Sequence, residues 1–328
     1  STTQPETNMA KGGASGIHAD PSVRVKTVAA QLTSAAMLIG VFVVYGYLQE
    51  RIMTMPFGES GELFRASTVL VLFNRIGATL IAFFFLWKNK EPMYNVPPLS
   101  HYFMISVSNN SSSICAYEAL KWITYPTQTI FKCGKMIPVM VFGTLMSGKK
   151  YVLKDYVVAL AVTAGCASFA LTGRITKHGA EEDSVIGVMI MLAYLTFDAF
   201  TPTFQARLFK QYKTTRYNQM AYINICSIPF ALVLSITGGQ FFPALSFLAQ
   251  HPEAWFFVIA LAVVATAGQL IIYLVIEQQG ALFFSTVNVI RNMVNIVLSS
   301  MLFDNDVTVA QYLSTLSVFG VLIYSKFS

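Results

Sequence analysis

The feature that most constrains this chain is the recurrence of charge-poor apolar stretches close to twenty residues long, separated by short polar breaks. A helix needs about 20 mostly apolar residues to cross hydrocarbon. Lipid offers no partner for backbone N–H and C=O groups, so only helices or closed barrels can span it. Ten such stretches lie near 27–48, 66–87, 101–120, 126–147, 155–173, 184–204, 217–237, 254–276, 280–302 and 307–325. Charged residues make up 12% of the 328, about half the roughly 25% of a soluble domain. The expected fold is therefore an all-α polytopic membrane protein of ten transmembrane helices.

The net charge of +6 does not imply nucleic acid as a partner, because the basic residues form neither a tract nor a basic helix face. They follow the sidedness of membrane loops instead. With ten spans both termini fall on one side. Lys88, Lys90, Lys149, Lys150, Lys154, Arg207, Lys210, Lys213 and Arg216 lie on that side, against Arg51, Arg65, Lys121, Arg174 and Lys177 on the other. Cytoplasmic loops carry the excess of Lys and Arg, so both termini are expected in the cytosol. Residues 1–23 are polar and contain Gly and Ser, the composition of a disordered cytosolic tail. They lack the apolar core of a secretory signal.

One register places Lys135 on Arg291 and Tyr156 on Tyr312. Each stretch has a cation in a span, an apolar run, a polar turn and a charge-free span. This predicts two five-helix repeats, residues 24–173 and 174–328. An odd number of helices inverts the second repeat, the common build of secondary transporters with a midplane site between the halves.

The fourth and ninth spans carry charge. A Lys or Arg at the bilayer centre costs about 2.5–3.5 kcal/mol on insertion scales, and Lys132, Lys135, Arg291 and Arg75 all fall inside spans. The one acid deep in a span is Asp198, while Glu118 and Glu277 lie near span ends. Cations outnumber the acids that could neutralise them, and an anionic ligand is the simplest missing partner. Lys132 and Lys135 are three apart and are expected on one helix face, opposite Arg291. Arg offers a bidentate fork to phosphate or sulfate, and Lys a mobile point charge. Tyr117, Gln128, Tyr222, Asn224, Gln269 and Tyr273 are in-span groups suited to a base and a ribose, though such residues also serve as glue between helices. Pro126, Pro138, Pro202 and Pro229 can kink helices or free backbone groups to line a cavity.

Other patterns carry less. Cys115, Cys133, Cys166 and Cys226 sit in apolar stretches without metal or redox spacing. The run from Gly143 to Lys149 resembles a phosphate-binding loop but lacks the following Ser or Thr and follows no strand. The sequons at Asn109 and Asn110 fall within a span. His18, His101, His178 and His251 lie in the tail or at span edges. No nucleophile–base arrangement stands out, so neither an enzyme nor a cofactor is expected.

Several stretches together carry a family resemblance. They are GYLQERIMT from Gly46, VLFNR from Val71, YEALK from Tyr117, YPTQ from Tyr125 and KCGKMIPVM from Lys132. FDAFT from Phe197, Gln219 and Met220 with Asn224, GQL from Gly268 and the region of Arg291 continue the series. In order, over about residues 35–325, they resemble transporters of 3′-phosphoadenosine 5′-phosphosulfate (PAPS) in the nucleotide-sugar transporter family of the drug/metabolite transporter superfamily. The resemblance implies the drug/metabolite transporter fold, residence in the Golgi membrane (or that of the endoplasmic reticulum), and import of PAPS for lumenal sulfation. Exchange for an adenosine phosphate is the implied mode, and Lys132, Lys135 and Arg291 match the positions that hold phosphates. Arg291 is followed by neutral Asn292, where many carriers of UDP-sugars or ATP have a second cation. The alternatives are a UDP-sugar or ATP/ADP transporter of the same family, or a membrane scaffold with internally paired cations and no cavity. The expected partners are the nucleotide, its counter-substrate and the bilayer, with a homodimer as the protein assembly.

Overall fold

The computed structural model describes residues 21–58, 62–119, 121–123, 125–172 and 185–302, with short helical pieces at 313–314, 316–318 and 320–321. The expected tail at 1–23 and the expected tenth span at 307–325 therefore lie mostly outside the described residues. Helices account for nearly all the rest. They are α1 (Pro21–Thr54), α2 (Ser67–Lys88), α3 (Leu99–Ala119), α4 (Tyr125–Cys133), α5 (Met136–Ser147), α6 (Leu153–Thr172), α7 (Val185–Tyr212), α8 (Arg216–Thr237), α9 (Phe241–Gln250), α10 (Pro252–Gln279) and α11 (Ala281–Leu302).

Five stretches, Ala29–Met53, Ser67–Lys88, Val185–Tyr212, Arg216–Thr237 and Pro252–Gln279, are long and apolar enough by themselves to cross a membrane. Many large apolar side chains face outward, among them Leu80, Leu145, Val185, Phe256 and Ile259. Such a surface would be a liability in water and is what lipid solvates. The protein is a multi-pass membrane protein.

Two segments differ from a simple row of spans. The fourth expected span is split into α4 and α5 at Gly134 and Lys135. Pro138 explains the break, because it has no N–H to donate to the carbonyl of Gly134. Ile137 N–H takes that carbonyl over at 3.2 Å, a tighter turn than the α-helix allows. α3 is long enough but polar, and its Ser and Asn side chains turn inward. Ser106 Oγ meets Ser227 Oγ at 2.8 Å, and Ser108 Oγ donates to the Phe197 carbonyl at 2.8 Å. Pro202 and Pro229, by contrast, sit inside the continuous helices α7 and α8.

The centre is built by close approach of small residues. α2 buries Asn74, Ala78, Ala82 and Leu86 at four-residue intervals. α8 buries Ala221, Asn224, Ser227, Ala231 and Ser235. These two helices pack along each other, α3 packs along α7, and α1 along α10. Hydrocarbon gives no hydrophobic drive between helices, so small side chains that admit backbone contact and polar groups that bridge supply the association.

The two ends of the bundle are distinct. At one end Arg216 Nε pairs with Glu277 Oε2 at 3.6 Å, joining the start of α8 to the end of α10. His101, at the start of α3, packs on Phe204 and Tyr212 of α7 at the same end. The loop from Pro92 to Tyr94 is held there by Asn218, whose Nδ2 donates to both carbonyls. At the other end Phe57 and Phe64 pack on Phe247 of α9. Phe57 N–H donates to the Glu62 carbonyl at 2.9 Å, so this connection is ordered around its aromatic core.

Candidate functional site

A cavity of about 360 Å³ opens between α1, α2, α3, α5, α7, α10 and α11. Its walls include Arg75, Lys135 and Arg291, three of the four in-span cations, and Asp198, the one deep acid. The separation of Lys132 from Lys135 follows from the break at Gly134. A continuous helix would have aimed both along one face, but the tightened turn leaves Lys132 outside the cavity. Its Nζ donates instead to Gln128 Oε1 at 2.7 Å, and Gln128 Nε2 donates to the Ala116 carbonyl at 2.6 Å.

Lys135 is 2% exposed and sits 3.0 Å from Asp198 Oδ2, with its ammonium 5.4 Å from the centre of the Phe284 ring. Asp198 is thus taken by Lys135 and not by Lys132. Tyr194, one turn before Asp198, also donates to Oδ2 at 3.3 Å. The two arginines have no such acid. Arg75 donates to Asn224 Oδ1 at 3.2 Å. Arg291 lies 4.4 Å over the face of Phe42, and its buried Nε makes no hydrogen bond. Among the described residues the cavity therefore holds three positive groups against one negative.

The amides and tyrosines divide similarly. Gln269 and Tyr273 line the cavity. Asn224 lies behind it, accepting from Arg75 and donating to Gln269 Oε1 at 2.9 Å and to the Met220 carbonyl at 2.7 Å. It orients the guanidinium rather than facing a ligand. Tyr222 is directed elsewhere, donating to the Met93 carbonyl at 2.7 Å and stacking on Tyr102. The side chain of Tyr117 lies outside the described residues. Glu118 pairs with Lys121 at 2.7 Å and is not available to Arg75.

Sequence reasoning did not single out Asn109, Gln205, Asn288, Phe42 and Phe284, all of which line the cavity. A helical stripe was the available signal for some of them. Asp198, Thr201, Pro202 and Gln205 recur at three- and four-residue steps on α7, as do Phe284, Asn288 and Arg291 on α11. Asn109 stands out in the sequence only as part of a glycosylation sequon.

This geometry suits a multiply charged anion with a polar, neutral remainder. Comparison with known proteins agrees in kind. The sequence matches the profile of the UAA transporter family over residues 30–328. It is 44% identical to "Adenosine 3'-phospho 5'-phosphosulfate transporter 1" of Dictyostelium discoideum, over 88% of this chain and 81% of that one. It is 40% identical to "UDP-galactose/UDP-glucose transporter 5" of Arabidopsis thaliana, over 87% of this chain and 83% of that one. A solved crystal structure only 10% identical shares the fold, with a TM-score of 0.62 over 89% of this chain and 98% of its own. The match along nearly the whole chain and the transporter relatives lead to one conclusion: this chain belongs to the UAA transporter family.

Proposed function

We propose that this protein is an antiporter that carries PAPS into the Golgi lumen for sulfation in exchange for an adenosine phosphate. The observation that carries the reading is the charge of the cavity. Arg75 and Arg291 line it half-buried with no ion pair to a described acid, and Lys135 has only Asp198. An internal scaffold would neutralise such groups, since an unmatched buried charge is costly. A cavity left positive favours polyanionic cargo. The names of the relatives from Dictyostelium discoideum and Homo sapiens support PAPS as that cargo. The Arabidopsis thaliana relatives favour a UDP-sugar as the second reading.

The proposed architecture is ten spans in two inverted repeats, 24–173 and 174–328, preceded by a cytosolic tail. Helix pairing supports it. Exchanging the first five spans with the second five maps the α2–α8 contact onto itself, α3–α7 onto α1–α10, and α2–α10 onto α3–α8, and all of these contacts exist. Rocking of the halves around the cavity gives alternating access. Lys88, Lys149, Lys210 and Arg216 gather at the Arg216–Glu277 end, which supports a cytosolic assignment for that end and for both termini. Lys132 and Gln128, bonded to each other outside the cavity, are not part of the site in this reading.

Purified protein in liposomes loaded with adenosine 3′,5′-bisphosphate tests the reading. Lys135→Ala or Arg291→Ala should abolish exchange of labelled PAPS. Wild-type exchange by either folded variant would sink the assignment.

A further inference from the structure

The cavity has a charged layer and a neutral one. Counting 1.5 Å per residue along each helix, Arg75, Lys135 and Asp198 lie about 18–21 Å from the Arg216–Glu277 end. Arg291 lies about 15 Å from it. Gln205 on α7 and Asn288 on α11 lie only about 10 Å from that end. The carboxamides are thus displaced from the cations toward that end, on two helices that contact each other.

Gln205 is 5% exposed and lines the cavity, yet its carboxamide makes no hydrogen bond to a described residue. Asn288 lines the same wall and is likewise unpartnered. Two asparagines elsewhere in the interior are engaged. Asn218 accepts from Tyr102 and donates to two loop carbonyls, and Asn224 joins Arg75 to Gln269. An amide that faces a cavity without a protein partner keeps its donor and acceptor open for another molecule. Two such amides facing one cavity are groups kept open for a ligand.

We propose that Gln205 and Asn288 read the edge of the cargo's base and are the specificity-determining residues of this transporter. The proposal rests on the nucleotide reading of the cavity. A carboxamide presents a donor beside an acceptor, the pattern that matches the exocyclic amine and adjacent ring nitrogen of adenine. Neutral amides give a phosphate little reason to prefer this layer, so the cargo is held with its phosphates on the cations and its base toward the Arg216–Glu277 end.

The test uses competitors matched in phosphate and different in base. Adenosine 3′,5′-bisphosphate, uridine 3′,5′-bisphosphate and inorganic pyrophosphate would each compete against labelled PAPS on the purified protein. Gln205→Met or Asn288→Leu should reduce the adenine-over-uracil preference roughly tenfold, with pyrophosphate competition unchanged. Either variant alone suffices if the other fails to fold. A folded variant that keeps the wild-type base ratio, or a wild type with no base preference, overturns the proposal. A wild type that ignores all nucleotides overturns the transport reading instead, and this assignment with it.

Discussion

Replacing Asp198 by Asn tests how the cavity manages its charge. The substitution keeps shape and removes the carboxylate 3.0 Å from Lys135 Nζ. At that distance the attraction is about 5 kcal/mol for an effective dielectric constant of about 20. Lys135 is 2% exposed and Asp198 25%, so the pair is partly screened on its acidic side. Breaking a buried pair by removing one partner costs about 3–5 kcal/mol, and the screened side places this case near the lower figure. The unloaded variant should therefore be less stable by about 3 kcal/mol. A polyanion should bind it more tightly, because cargo no longer competes with Asp198 for the ammonium. Recovering about 2 kcal/mol of the lost attraction corresponds to a roughly thirtyfold lower Kd. Thermal unfolding of wild type and Asp198→Asn, with and without adenosine 3′,5′-bisphosphate, measures both effects. Opposite signs are expected: a lower Tm without ligand and a larger ligand-induced rise. Weaker binding by the variant would refute the reasoning, since Asp198 would then be a positive contributor to the ligand site rather than a rival of the cargo.

Other outcomes follow from the same geometry. Lys132→Ala should leave exchange much closer to wild type than Lys135→Ala does, as measured in loaded liposomes, because Lys132 is bonded to Gln128 outside the cavity. Net uptake into liposomes without internal nucleotide should be roughly a hundredfold slower than exchange, since one uncompensated cation at bilayer depth costs about 2.5–3.5 kcal/mol; equal rates would count against antiport. Gly187→Ala should lower stability by about 1–3 kcal/mol in thermal unfolding, because a Cβ there would run into Ile123 Cγ2 and meet the Trp122 backbone at 3.1 Å.

The sequence made the membrane class and the charge imbalance legible, because both are local properties of composition. Arg75, Arg291, Gln269 and Tyr273 could be placed in the interior from their positions in apolar runs, and the structure gathers them with Lys135 at one cavity. Lys132 went astray for a reason written only indirectly in the sequence. Its face depends on whether the helix continues through Gly134, and that turns on how the carbonyl freed by Pro138 is satisfied. Asn224 was legible as interior but not in its role, since bonds to Arg75 and Gln269 join residues on α2, α8 and α10. Asn109, Gln205 and Asn288 required knowing which helices meet. Periodicity gives each helix a stripe; tertiary packing decides which stripe becomes a cavity wall.

The distribution of these groups also separates two questions that a cation count merges. A guanidinium fork accepts phosphate, sulfate or a diphosphate in similar geometry, so Arg75, Lys135 and Arg291 select a chemical class and discriminate weakly within it. Relatives are named for PAPS and for UDP-sugars, both of them phosphate-bearing anions. Discrimination by hydrogen bonding is far sharper, because the wrong ligand leaves buried polar groups unpaired. In this cavity Gln205 and Asn288 are two neutral groups free to act that way, and both lie on one side of the cations. On the proposed reading charge admits the cargo, and the opposite end of the molecule, held in the amide layer, sets its identity. Changing substrate within the fold would require repacking α7 and α11 around Gln205 and Asn288 while leaving the positively charged layer intact.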